Sequence, residues 1–285
     1  MSQVLYDAPG PRARRLNRVL TVVGVALFAA VAAVVVWRLN GAGQFAPSKW
    51  SPFSYTDIQR ALLGAWWRTM TVALMAIALS IVLGAVLASL RLSPAAGPRW
   101  VAYGLIQLFR APPVLLLMFW FLYGGSGNIP IYWCGVLGLT VYNGAFIAEI
   151  LRAGVEALPR GQKEAGLAIG LTQGQTLWAI QLPQAVRSML PSLVSQVVVI
   201  LKDTALIYIV GFTELLRWGT QLGSQYFNLI PAMIVIAVVY VGTNMVIAGI
   251  AKVVERRMRG KTSGTTSVGV NTAQVGASSA AGSAV

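Results

Sequence analysis

Histidine is absent from this chain, cysteine occurs once, at Cys134, and acidic residues number only 8 in 285. A single cysteine excludes an internal disulfide framework. Without histidine and with one thiol, the ligand sets of zinc and haem centres are missing, so no metal site is expected. Charge as a whole is scarce: Asp, Glu, Lys and Arg make up 11% of the residues, against about 25% in a soluble domain. That deficit excludes a fully wetted globular surface and points to an integral membrane protein.

What is present fits that class. The composition is 56% hydrophobic and the mean hydropathy is +0.69. Roughly 20 apolar residues cross a bilayer as a helix. Such runs lie at Val19–Trp37, Thr69–Leu90, about Trp100–Tyr123, Ile131–Leu151, Ser192–Phe212 and Leu229–Ile250. Turn chemistry at Gly124–Asn128 separates the third from the fourth. Asn228 reads as a helix cap for the sixth, with Pro231 in its first turn. The expected fold is therefore an all-α membrane protein of six transmembrane helices. Residues 1–18 form a cytoplasmic tail, and 19–60 hold an extra helix and external loop. Residues 61–251 form a five-helix core, and 252–285 a basic, then unstructured, cytoplasmic tail. The first run is long for a signal peptide and is expected to remain as an anchor.

The 22 Lys and Arg residues give a net charge of +14, which in a soluble chain would suggest nucleic acid. Sorting them by side removes that reading. With both termini inside, the cytoplasmic segments carry about three times as many Lys and Arg as the external ones, as the positive-inside rule requires. No nucleic-acid partner is expected; the solvent for most of this surface is lipid. Arg110 and Lys202 alone fall within spans.

The longest connection, Arg152–Leu190, is not featureless. Pro159 can open a helix, and Gly170 suits the left-handed position that ends one. Thr172-Gln173-Gly174-Gln175 reads as a capping box, and a second helix is expected to run to Leu182 and stop at Pro183. Two short helices joined at Gly170–Leu171 should project into the cytoplasm. Ala165, Ala168, Leu177, Trp178 and Leu182 recur at near-helical spacing and would offer an apolar face to a soluble partner.

Glu164-Ala165-Gly166, three residues, Gly170, nine residues and Ile180-Gln181-Leu182-Pro183 resemble the EAA loop of the permease subunits of bacterial ABC importers. The one departure is Gly166 where a second Ala is usual, which should weaken the helix by up to ~1 kcal/mol. Phe109-Arg110-Ala111-Pro112, Ala148–Gly154, Gly161–Ala165, Leu182–Ala185 and Leu201–Leu206 are similar to the polar amino acid permeases. The extra first span and the Asp7–Pro11 start most resemble glutamate permease subunits of actinobacterial systems. The resemblance implies a division of labour: two permease subunits form the path, a cytosolic ATPase dimer supplies the work, and an extracytoplasmic binding protein delivers substrate. It implies a bacterial plasma-membrane location, with an EAA loop at about 156–187. It implies ATPase coupling through Glu164, Ala165, Gly170, Leu182 and Pro183. It implies no cofactor on this chain, ATP and Mg being held by the ATPase.

The residues agree that this chain is not itself an ATPase. Gly260-Lys261-Thr262 has the end of a phosphate-binding loop, but Glu255 stands where the motif needs its first glycine. A charge at the bilayer centre costs ~2.5–3.5 kcal/mol, so Arg110, Lys202 and Asp203 should face protein or water. With Asn143, Glu149 and Arg152 they are the candidates for a substrate path or gate. Glu149 and Arg152, three apart, can share a helix face. The competing expectation is structural: Lys202 paired with Glu149 or Asp203, and Asn143 and Gln196 as interhelical hydrogen-bond partners. Two other classes stay open. An ion-coupled secondary transporter would need internal repeats and mid-span acids, of which only Asp203 is clear. A membrane enzyme would need a nucleophile or metal cluster, and none is recognisable.

Overall fold

The computed structural model describes residues 10–260 except residue 126. The tail expected to be unstructured, Thr262–Val285, lies outside the described residues, as does the Asp7–Pro9 stretch. Every regular element among the described residues is helical: α1 (Pro11–Gly41), α2 (Pro47–Trp50), a 3₁₀ turn (Ser51–Ser54), α3 (Thr56–Arg91), α4 (Ala96–Arg110), α5 (Val114–Gly124), α6 (Ile131–Glu156), α7 (Arg160–Ala168), α8 (Gln173–Thr176), a π turn (Leu177–Gln181), α9 (Leu182–Ser188), α10 (Leu190–Asp203), a 3₁₀ turn (Thr204–Tyr208), α11 (Leu215–Gln225) and α12 (Leu229–Gly260). Among the described residues five helical segments are long and apolar enough to cross a membrane, and the α4–α5 pair makes up to six.

Three expected boundaries are corrected. The run Trp100–Tyr123 is not one helix but two, meeting at 100°. Pro112 and Pro113 lack the N–H groups that would close the helix there, and each disfavours the α conformation of the residue before it. The second span does not begin at Thr69. Its helix starts at Thr56 and passes Arg60 and Arg68, because charge marks where lipid ends, not where helical hydrogen bonding ends. The fifth span does not stay α-helical to Phe212; α10 ends at Asp203 and tightens into the 3₁₀ turn that closes at Tyr208.

The chain divides into two compact units. In the first, formed by the described residues to Thr71 together with Gly211–Val241, a small core joins Ala65, Leu215 and Ile236, with Trp66 and Trp218 packed against it. Glu214, 1% exposed, caps α11 by accepting hydrogen bonds from the Leu216 and Arg217 N–H groups at 2.8 Å. Tyr240 Oη donates at 2.6 Å to Oε2, the oxygen that also accepts from Leu216. Asn228 does not cap α12 through its side-chain oxygen, which is buried without a partner. Its Nδ2 instead donates to the Lys49 carbonyl at 2.8 Å. Lys49 Nζ in turn donates to the Phe227 carbonyl, so the loop after α1 is stapled to the turn before α12. Residues 12–38 of α1 are exposed.

The second unit, Val72–Val210 with the described residues from Gly242, is built around α6. Two-thirds of that helix's apolar window is buried, 67%. Its small residues, among them Gly138, Gly144, Ala145 and Ala148, are buried. They let α3, α4, α5 and α10 approach closely, which is how helices associate where lipid removes the hydrophobic drive. Its last two turns enter a core with Leu87, Ile106, Leu177, Leu182 and Ala185. Cys134 is fully buried in α6, as a small apolar residue would be.

Candidate functional site

The helix pair after α6 forms as expected, with one change. Pro159 precedes α7, and Gly170 follows it at φ +87°, the left-handed conformation that glycine adopts without cost. Thr172 and Gln175 form the reciprocal capping box: Gln175 N–H to Thr172 Oγ1 at 3.3 Å and Thr172 N–H to Gln175 Oε1 at 2.9 Å. Pro183 does not end the second helix. The chain widens into the π turn, where Leu182 N–H bonds to the Leu177 carbonyl, and Pro183 enters the first turn of α9. A proline N–H is not needed there, so the chain stays helical through it.

The apolar face expected on this pair is split in two. Leu177 and Leu182 turn inward, 7% and 8% exposed, against α6 residues Leu151 and Val155. Ala165, Ala168 and Trp178 remain outside, joined by Leu167 and Ile169. The inward leucines root the pair on the end of α6 through packing, and Gln184 donates a hydrogen bond to Gln162, joining α9 to α7, at 2.8 Å. Glu164 and Pro183 are exposed.

The six path candidates do not gather into one cluster. Arg110, at the end of α4, lies over the Phe146 ring of α6 at 4.7 Å, and its Nε is buried without a hydrogen-bond partner. Asn143 is fully buried; it accepts from Gln196 Nε2 at 2.7 Å and donates to the Leu139 carbonyl at 2.9 Å. This is the expected interhelical bond, between α6 and α10. Arg152 bridges Glu149 at 2.9 Å and Glu156 one turn on. Along α6 each three-residue step turns the direction by about 60°, so Asn143 and Arg152 lie on opposite faces.

Lys202 is exposed and Asp203 half-buried at the α10 terminus. The expected pairing of Lys202 with Glu149 is not made: Glu149 is taken by Arg152, which also reaches Glu156. Sequence reasoning missed Glu156, although its i+4 spacing from Arg152 was visible, and Glu214, whose signal was an acid just before an amphipathic run. Nothing in the sequence singled out Phe146.

A family model described as "Binding-protein-dependent transport system inner membrane component" matches residues 80–260, which takes in α6, the capped pair and α12. The chain belongs to this family. It is a multi-pass inner-membrane component of a transport system. Over 228 residues it is 40% identical to the glutamate transport system permease protein GluD of Corynebacterium glutamicum, covering 78% of this chain and 84% of that one. It is 27% identical to the arginine transport system permease protein ArtQ of Bacillus subtilis, covering 67% of this chain and 89% of the relative. Among solved structures it is similar to an amino acid ABC transporter crystallised with histidines, at TM-score 0.65 and 27% identity, covering 73% of this chain and 97% of that one. The fold is also that of the MetNI methionine ABC transporter, at TM-score 0.60 and 19% identity.

Proposed function

We propose that this family member is the permease subunit of an ATP-driven importer for polar amino acids, L-glutamate first among them. It crosses the bacterial plasma membrane six times, the α4–α5 pair counting once, with both termini inside. It assembles with a second permease subunit, a cytosolic ABC ATPase dimer that holds ATP and Mg, and an extracytoplasmic binding protein. The observation that carries this reading is the capped pair Arg160–Gln181, packed through Leu177 and Leu182 onto the end of α6. A rigid pair so rooted can act as a lever on the helix it is packed against. Glu164, Ala165 and Gly170 shape the arm that meets the ATPase, and Leu182 and Pro183 transmit its movement. Similarity to permeases named for glutamate and arginine transport supports the substrate class.

In this mechanism closure of the ATPase moves the pair, and the spans reorient about a path between them. Arg110, with its unpaired Nε beside Phe146, is suited to meet a substrate carboxylate. Asn143 holds α6 to α10 during the movement, the Glu149–Arg152 bridge stiffens α6, and Lys202 and Asp203 act at the point where α10 changes pitch. Replacing Glu164–Gly170 by a flexible Gly–Ser linker in the purified complex should abolish substrate-stimulated ATP hydrolysis. Retained stimulation would refute the coupling. Loss of arginine uptake with intact glutamate uptake, on deleting this chain, would overturn the substrate assignment.

A further inference from the structure

The inner side of the capped pair holds a hollow of about 360 Å³. It opens between the end of α3, the end of α6 and the α7–α8 pair. Its walls carry two carboxylates, Glu156 and Glu164, and two cations, Arg160 and Lys163, with the amides of Gln173 and Gln181 between them. Arg160, Lys163 and Glu164 are exposed to solvent, and none of them takes part in the ion pairs of Arg152. Glu156 is linked to Arg152 yet keeps more than half of its side chain exposed, 56%. Four charges of both signs thus surround one concave space without neutralising one another across it. The volume is within the range of small-molecule sites.

We infer that this hollow binds a small α-amino acid as its zwitterion. A ligand with a single charge would leave the lining charges of its own sign unmatched. A zwitterion gives its carboxylate to Arg160 and Lys163 and its ammonium to Glu156 and Glu164, so every group gains a charge-assisted hydrogen bond. A protein segment is disfavoured as the occupant because the exposed apolar side chains that suit one, Leu167, Ile169 and Trp178, are not among those lining the hollow. A ligand wedged between α6 and the pair would hold the lever in one position. The inference rests on the importer reading, and it makes the transported amino acid, accumulating on this side of the membrane, a brake on its own uptake.

The test uses the whole permease–ATPase complex in lipid nanodiscs, without binding protein, with ATP hydrolysis followed as L-glutamate rises to millimolar levels. Hydrolysis is expected to fall at least about five-fold, the low end of ordinary coupling between sites. Arg160→Gln/Lys163→Gln, and separately Glu156→Gln, should relieve the inhibition, whereas Arg110→Ala should keep it. Glutarate, which lacks the ammonium group, should not inhibit. Equal inhibition by glutarate, or equal inhibition in the variants, overturns the zwitterion site. So does a loss of hydrolysis in both variants without any amino acid, which would assign these charges to ATPase docking. Absence of inhibition in the native complex, with uptake intact, overturns the site and leaves the importer reading standing.

Discussion

A β-carbon placed on Gly166 would lie 2.6 Å from Thr176 Cγ2 and 2.8 Å from its Oγ1. The glycine that departs from the EAA pattern is therefore a contact by which α7 meets the end of α8. Gly166→Ala should gain up to ~1 kcal/mol of helix propensity and lose about 1–3 kcal/mol to overpacking. The expected net result is a less stable loop and weaker coupling. Thr176→Ala should restore both, since Thr176 Oγ1 is buried without a partner and its removal breaks no hydrogen bond. Substrate-stimulated ATP hydrolysis and thermal unfolding of the two variants check this. A Gly166→Ala chain as stable and active as the native one would refute the contact.

The Asn143–Gln196 bond joins α6 to α10 inside the apolar region. Hydrogen bonds between membrane helices contribute about 0.6 kcal/mol on average and up to ~1.7. A double-mutant cycle of Asn143→Ala and Gln196→Ala, read by unfolding in mixed micelles, should return a coupling energy in that range. A coupling indistinguishable from zero would mean that packing alone holds the two helices.

The elbow between α4 and α5 should depend on Pro112 and Pro113. With both replaced by Ala, the backbone regains two donors and the helix can straighten. Spin labels at Leu108 and Trp120, which flank the inside of the elbow, should then separate toward about 18 Å, the length of a continuous helix over that interval. No change in their distance would show that contacts with α6, not the prolines, impose the bend.

Glu214 lies outside the membrane-crossing segments, and burial pushes its carboxyl above the usual glutamate range, against the hydrogen bonds from Tyr240 and the α11 backbone. The folded chain therefore holds this proton to higher pH than the unfolded chain does. Stability contributed by the group is present below the ordinary glutamate value and is lost as pH rises from there through the raised value. Glu214→Gln should flatten that fall, so that the difference in melting temperature between native and variant grows with pH across the window. Parallel melting curves would sink the assignment.

Much of the architecture was legible in the residues because lipid imposes simple rules. A scarcity of charge, runs of about 20 apolar residues and the asymmetry of Lys and Arg are read directly from the chain. Caps and turns were legible for the same reason of locality: Thr172 with Gln175, and Gly170 at φ +87°, involve neighbours a few residues apart. Local logic failed where a distant partner decided the outcome. Asn228 looked like a cap, but Lys49 supplies an acceptor for its amide. Lys202 looked like a partner for Glu149, but Arg152 was nearer on the same helix.

The sequence by itself determined that this is a multi-helix membrane protein, that a paired-helix loop follows Arg152, and which transporter family it resembles. These depend on composition, periodicity and local motif. Only the tertiary structure decided that Leu177 and Leu182 face inward while Trp178 faces out, that Gly166 is a contact, and that four charges ring one hollow. Helix spacing gives the direction of a side chain about its own axis, whereas its neighbours are set by how separate helices pack, which the periodicity of one helix does not contain.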